Sequence, residues 1–308
     1  MTQDDARQLW YRQRRKLEQG YHFSTPDGLV RHPRLGHMSP ALHLFSLLLR
    51  LTGLYGRGLS NAMDVRVKHL TIKLAKLPQA FDGYRILQIS DPHLDLLPEL
   101  AGRIATLVQG VEADLLLLTG DYRDRHDTPP EPGLALLEPI LAAIEAPDGH
   151  YAIMGNHDPA DGVPILEAMG LKVLINQTIT LTRGDAVLHL TGLDDVHYFY
   201  SEQARGALEE DIEGCRIAAV HSAEIADLAA AAGIDLYLCG HTHGGQIRLP
   251  WGPPPLNNLC RCRDYGHGQW QHGQMIGYTT NGAGVTTIPV RYNCPAEITL
   301  ITLRRQDQ

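Results

Sequence analysis

Several things that would place this 308-residue chain at once are scarce or missing. Spanning a bilayer takes about 20 consecutive apolar residues, and the most apolar stretch, ALHLFSLLLRLTGLY at 41–55, is shorter and carries Arg50. This argues against a membrane helix bundle. Positive charge is not in excess: 27 Lys and Arg stand against 35 Asp and Glu, a net charge of −8. Binding a phosphate backbone needs clustered cations, so no nucleic-acid partner is expected. The one basic run, RQRRK at 12–16, reads either as a solvated helix face or as a contact for anionic lipid headgroups. Cysteine is sparse and odd in number, at 215, 239, 260, 262 and 294. With residues 1–20 polar and no secretory signal visible, a reducing, cytoplasmic setting is expected, where a buried Cys acts as a small hydrophobe. Cys260 and Cys262, followed by His267 and His272, sit closer than the usual C-x₂₋₄-C zinc pairing, so their role stays open.

What is present looks globular. With 44% hydrophobic and 20% charged residues, the chain can bury one large core or two small ones, and it shows no repeat or low-complexity tract. If 41–55 is helical, His43, Ser46, Arg50 and Gly53 share one side and Leu and Phe cover most of the rest. Such a helix either packs on its own core or lies in a membrane interface, peripheral on the inner face of the cell membrane. We expect an N-terminal extension over 1–64, carrying this segment, and a main domain over 65–308.

From residue 65 onward, strand-like runs alternate with helical patterns. VRVKHLTIKL, YRILQIS, ADLLLLTG, HYAIMGN, AVLHLTG, CRIAAVH and IDLYLCG are the runs; ELAGRIATLVQG, GLALLEPILAAIEA and SAEIADLAAAAG are helical. PPEPG at 129–133 and WGPPPLNN at 251–258 read as loops. The alternation predicts an α/β protein whose sheets are covered by helices.

Chemistry-bearing residues follow the runs. YRILQIS leads to Asp91 and His93, LLLLTG to Asp121, YAIM to Gly155-Asn156-His157-Asp158, RIAAV to His221, and DLYLC to Gly240-His241-Thr242-His243. In α/β sheets, sites form at the carboxyl ends of strands, so five strand ends could bring these groups together. Together they offer enough oxygen and nitrogen donors for two metal ions.

The ordered set resembles the calcineurin-like metallophosphoesterase superfamily, with all five motifs in family order across residues 86–246. GHTHGGQIRLP at 240–250 and NGAGVTTIPVRYNCPAEI at 281–298 are similar to its bacterial membrane-associated branch, which includes UDP-2,3-diacylglucosamine pyrophosphatases of lipid A synthesis and related phosphodiesterases. The resemblance implies a four-layer α/β/β/α sandwich of two mixed sheets. It implies one metal held by Asp91, His93, Asp121 and His243, and a second held by Asp121, Asn156, His221 and His241, with Asp121 bridging. Manganese leads the candidates; iron or zinc also suits the ligand set. A hydroxide on the metals would attack phosphorus. His157 would reach the phosphate or leaving group as a catalytic residue, and Asp158 would either orient its ring or cap a helix before Pro159.

The lone-histidine motif reads HSAE, where many members carry Asn-Pro-Asp or Ser-Pro-Glu after the histidine; only His221 itself is needed as a ligand. The implied substrate is a phosphate ester, most specifically the diphosphate of a nucleotide-linked lipid such as UDP-2,3-diacylglucosamine. The alternative is a soluble phosphodiesterase acting on small nucleotides or diesters. A non-catalytic adaptor fits less well, because no ligand is missing. Asp194, Asp195 and His197 read as pocket-lining residues or a solvated loop. Arg123, Arg125 and Arg291 read as holders of a second phosphate or as structural arginines.

Overall fold

The apolar runs become strands because alternate residues have two different cores to enter. The protein is described by a computed structural model covering residues 3–20, 23–30, 40–251, 254 and 257–306. Residues 252, 253, 255 and 256 of the proline-rich stretch lie outside the described residues. The strands are β1 (Phe23–Thr25), β2 (Gly28–Val30), β3 (Arg66–Leu74), β4 (Arg85–Ile89), β5 (Leu115–Leu118), β6 (His150–Ala152), β7 (Lys172–Val173), β8 (Gln177–Arg183), β9 (Ala186–Gly192), β10 (Cys215–Ala219), β11 (Leu236–Cys239), β12 (Gly268–His272), β13 (Met275–Thr279) and β14 (Glu297–Arg305). The α-helices are α1 (Gln3–Gly20), α2 (Pro40–Leu51), α3 (Leu54–Met63), α4 (Glu99–Val108), α5 (Glu131–Ala135), α6 (Glu138–Ala142), α7 (Val163–Ala168), α8 (Glu202–Leu208) and α9 (Ala226–Ala231).

Apart from the β1–β2 hairpin, the strands form two six-stranded sheets, ordered β3-β14-β4-β5-β6-β7 and β12-β13-β11-β10-β9-β8. Both are mixed. In the first, β14 runs parallel to β3 but antiparallel to β4, while β4 to β7 are parallel. In the second, β9, β10, β11 and β13 are parallel, with β8 and β12 antiparallel at the edges.

Leu115 and Leu117 point into the core between the sheets, where they join Leu236 and Leu238. Their neighbours Leu116 and Leu118 point the other way, onto Leu100, Ile104, Ile140 and Leu166 of the helices. On the second sheet, Tyr237 and Cys239 face Ala204 and Ala226 of α8 and α9. Three cores thus separate four layers, and the α/β/β/α sandwich of two mixed sheets is present. Each buried Leu contributes roughly 1.5–3 kcal/mol, so the inter-sheet core holds the strand ends in fixed register.

The sequence reading of helices needs three corrections. GLALLEPILAAIEA breaks into α5 and α6, because Pro139 fits the first turn of α6 but cannot continue a helix from α5. Part of PPEPG belongs to α5, which starts at Glu131. The 41–55 segment is broken after α2 by Gly53, which takes φ 73°.

Candidate metal centre

The motif residues sit just beyond β4, β5, β6, β10 and β11, whose carboxyl ends lie side by side. Five of them adopt a backbone that only a few per cent of non-glycine residues show: φ is 52° at Asp91, 40° at His93, 56° at Asp121, 72° at His241 and 51° at His243. Such strain persists only where surrounding bonds over-determine it. Here the strand ends are laced together, with Asp91 N–H donating to Gly120 O at 2.9 Å, His93 N–H to Asp121 O at 3.2 Å, and Gly240 N–H to His221 O at 2.9 Å. The carboxylates fill space that two glycines leave open. A Cβ on Gly155 would stand 2.2 Å from Asp121 Oδ1, and one on Gly240 2.1 Å from Asp91 Oδ2.

The side chains converge. Asp91, His93 and His243 form one buried group whose donor atoms lie within 4.8 Å of one another, and Asp121, His221 and His241 form a second. Asp121 stands between them: its Oδ2 is 3.2 Å from His221 Nε2 and 3.6 Å from His93 Nε2. Asn156 Oδ1 is 3.2 Å from the same His221 nitrogen. Each of two rings is fixed from behind. His93 Nδ1 lies 3.0 Å from Arg123 O and His221 Nδ1 2.8 Å from Thr119 O, so these nitrogens carry the proton and Nε2 faces the site.

The residues fit a pair of cations on grounds internal to the structure. Both ring nitrogens of buried His241 lack a hydrogen-bond partner, and buried polar atoms rarely go unsatisfied without cause. His93 Nε2 and His243 Nε2 face each other at 3.1 Å, two ring nitrogens turned toward the same point. Burial pushes His241 well below the usual imidazole range, with His197 and His221 adding to the effect. His243 moves the same way, through burial and then His93 and Arg291. Both rings are therefore neutral, the form in which imidazole binds metal. Burial raises Asp91 to about 6. Burial opposes the ionisation of Asp121 as well, yet His221 and His157 hold it well below the carboxylate range.

A model of the calcineurin-like phosphoesterase family matches residues 84–245, which includes every one of these groups. The chain belongs to that family. It is a metal-dependent phosphoesterase, and members of the family use divalent metals. Among similar proteins, an uncharacterised metallophosphoesterase of Bacillus subtilis, YkuE, is 34% identical over 265 residues, 81% of this chain and 89% of its own. The Escherichia coli phosphodiesterase YaeI is 27% identical, covering 71% of this chain and 82% of its own. Among solved structures, the NAD nucleotidase of Haemophilus influenzae aligns with a TM-score of 0.42 at 17% identity, over 65% of this chain and 45% of that one.

Around the metal groups, the phosphoesterase departs from several sequence-based expectations. Asp158 does not touch the His157 ring. Its carboxylate accepts the N–H groups of Asp121 (2.7 Å), Tyr122 (3.0 Å) and Gly155 (2.8 Å), tying two strand-end loops together. The His157 ring is held instead by Asp124, with Nδ1 at 2.8 Å from its carbonyl oxygen, and the His157 N–H donates to Asp121 Oδ1 at 2.9 Å. Asp124, which the sequence did not single out, forms a third group with His93 and His157. Asp95 secures that loop by accepting the N–H groups of Asp124 and Arg125, at 2.6 and 3.0 Å. His126 stacks on His157 from the rim, at 4.3 Å between centroids.

LDDVHYFY is not a solvated loop: Asp194, Asp195 and His197 are all buried. The His197 ring packs tilted against His241, 4.3 Å between centroids, and its Nδ1 lies 2.8 Å from Glu224, the last residue of HSAE. That carboxylate also accepts Cys260 N–H (2.8 Å) and Arg261 N–H (2.7 Å), so the departure at HSAE buttresses the His197 ring beside His241.

Arg291 is fully buried behind His243 and donates to the carbonyls of Asn281 (2.7 Å), Gly282 (3.1 Å) and Gly284 (2.6 Å), a structural role. Arg123 is buried too and donates to Thr128 O, whereas Arg125 is exposed at the rim. Cys262 contacts Asp227 and His272 contacts Tyr265, and among the described residues no metal-capable group includes either cysteine.

Proposed function

We propose that this phosphoesterase cleaves the diphosphate or diester of a lipid-linked substrate while resting on the cytoplasmic face of a membrane, and that UDP-2,3-diacylglucosamine is the substrate to try first. The position of the exposed apolar side chains carries this reading. On α2, Leu42, Ser46 and Leu49 turn toward the body, where Leu49 meets Ile288 and Val290. The outer face leaves Leu44, Phe45, Leu47, Leu48 and Leu51 exposed, and Leu54 follows at the start of α3. Ile247 packs in the same small cluster as Leu49, and the loop beyond it exposes Leu249 and Trp251 to 60% and 74%. This loop begins four residues after His243, which supports an apolar surface close to the donor groups. Contiguous exposed apolar surface of this kind marks a contact site. Among the described residues no helix is long and apolar enough to cross a membrane, which supports a helix lying on the surface. Residues 1–64 act as the extension that carries this helix, and 65–308 as the catalytic domain.

In this reading Asp91, His93, Asp121 and His243 hold one divalent cation, and Asp121, Asn156, His221 and His241 hold the other, manganese in both positions. Such a pair, when bound, polarises the phosphate and lowers the pKa of water. His157, anchored through Nδ1, presents Nε2 to the phosphate or leaving group, where it stabilises charge or delivers a proton. The name of the Escherichia coli relative supports diester cleavage.

Vesicle flotation combined with hydrolysis tests the reading. The wild type is expected to float with anionic vesicles and to release UMP from UDP-2,3-diacylglucosamine in them when manganese is supplied. Replacing Leu44, Leu47 and Leu48 by Glu removes three side chains worth roughly 1.5–3 kcal/mol each on burial. The variant is expected to lose flotation and most activity on the lipid while keeping its activity on bis-p-nitrophenyl phosphate. A wild type that stays off vesicles and hydrolyses only small diesters would instead establish the second reading, a soluble phosphodiesterase.

A further inference from the structure

The basic run at 12–16 contains a residue that is neither solvated nor available to lipid. Arg14 is 2% exposed. Helix α1 lays it across two strand-end loops, the one after β6 that holds Asn156 and His157, and the one after β9. Its Nη2 donates to Asp158 O at 2.7 Å and to Gly155 O at 3.2 Å, the two carbonyls that bracket Asn156 and His157. Its Nη1 pairs with Asp194 Oδ1, whose other oxygen accepts Trp10 Nε1–H at 2.6 Å. Glu18, one turn further along, is 3.1 Å from Arg14 Nε and accepts Ala160 N–H at 2.9 Å. The ring of Phe199 stacks under the guanidinium at 3.5 Å. Tyr11 and Arg15 to Asp161, just past this loop, and Arg7 to Glu167 on α7 continue the seam.

We propose that Arg14 is a positioning residue of the metal centre: by gripping the carbonyls of Gly155 and Asp158 from outside, it holds Asn156 at the second cation group and His157 at the phosphate. The reasoning rests on the ligand assignment made above. From inside, the Asp158 carboxylate already ties this loop to the N–H groups of Asp121 and Tyr122. Gly155 O also accepts Asp158 N–H at 3.3 Å, but among the described residues Arg14 is the one side chain that donates to these two carbonyls, and a guanidinium alone has the planar, multiply donating geometry to span both of them and a carboxylate. The group formed by Asp91, His93 and His243 is built on β4 and β11 and does not touch Arg14. The effect is therefore local. Helix α1, distant in sequence from all five motifs, is part of the site.

The test uses the full chain with Arg14→Gln, Arg14→Lys and Trp10→Phe, the last of which takes the indole N–H from Asp194 and trims a side chain packed in the core. Three readouts are taken: manganese binding by titration calorimetry, amide hydrogen exchange at residues 155–158, and steady-state hydrolysis of bis-p-nitrophenyl phosphate. Losing an outer partner of a metal ligand typically costs about 10–100-fold. Arg14→Gln is expected to weaken the second manganese and to lower kcat by about that factor, to leave the first manganese and KM near wild type, and to speed exchange at 155–158. Arg14→Lys recovers part of each effect and Trp10→Phe shows a smaller version of the same pattern. Variants that are less stable but bind both ions and turn over as the wild type does would make Arg14 merely structural and overturn the proposal. Should Arg14→Gln not fold, Arg14→Lys and Trp10→Phe decide between the same two outcomes. A wild type with no diesterase activity would sink the ligand assignment instead, and the exchange rates at 155–158 would still judge Arg14 separately.

Discussion

Replacing Asp121 by Asn is expected to reduce phosphodiester hydrolysis by more than the roughly 100-fold that loss of an outer partner of a metal ligand costs. Asp121 is 2% exposed and stands between the two donor groups, close to His93 of one and His221 of its own. The amide that replaces it is neutral, presents one oxygen where there were two, and cannot offset the charge of two cations in a buried site. The fold should survive, since the Asp121 backbone bonds remain: its N–H to Asp158 and its carbonyl oxygen to His93 N–H. The variant should therefore unfold cooperatively, bind fewer than two manganese ions per chain, and show near-background turnover. Wild-type turnover in this variant would remove the bridging carboxylate from the account.

Gly240→Ala is expected to act almost as strongly, though it changes no ligand. The new methyl would stand 2.1 Å from Asp91 Oδ2 and 2.1 Å from Ser90 Oγ. The Asp91 carboxylate cannot simply swing aside, because it is buried and accepts His241 N–H through both oxygens, at 2.9 and 3.1 Å. Overpacking of this kind costs about 1–3 kcal/mol, so a lowered Tm should accompany loss of the cation proposed to bind Asp91, His93, Asp121 and His243. Gly102→Ala is the control. Gly102 sits exposed inside α4 with nothing within 4 Å of a new Cβ, and alanine there should stabilise the helix by up to about 1 kcal/mol. Equal metal binding in both glycine variants would contradict the argument from space.

Much of this site is legible in the sequence because its residues follow apolar runs, and an unbroken run of Leu and Ile in a strand announces a sheet buried on both faces. LLLL before Thr119-Gly120-Asp121 is the clearest case. What is not legible depends on pairing across long chain separations. RQRRK looks like a solvated charge run, and nothing local shows that its third residue meets Asp194, 180 positions away. Glu224 in HSAE looks like a motif defect until His197 is seen against it. Asp158 looks like a partner for its neighbour His157, but the tight turn sends its carboxylate back toward Asp121 N–H, and the carbonyl of Asp124 takes the ring instead. Strand β8, QTITLTR, was missed because its alternate residues are threonines at a sheet edge, where one face is only partly buried. Strand β14 escaped for a different reason. It returns from the far end of the chain to lie between β3 and β4, and no local signal specifies that insertion.

The measurement that tests the account most directly is a count of bound metal alongside activity. Purified chain is stripped with a chelator, reloaded with manganese, and assayed on bis-p-nitrophenyl phosphate at each step, with metal per chain read by elemental analysis. The account predicts two ions per chain, hydrolysis lost on stripping and restored on reloading, and a Tm that rises with metal, since a ligand that binds only the folded state stabilises it by mass action. Undiminished hydrolysis by fully stripped protein, or full activity with a single ion bound, would contradict it.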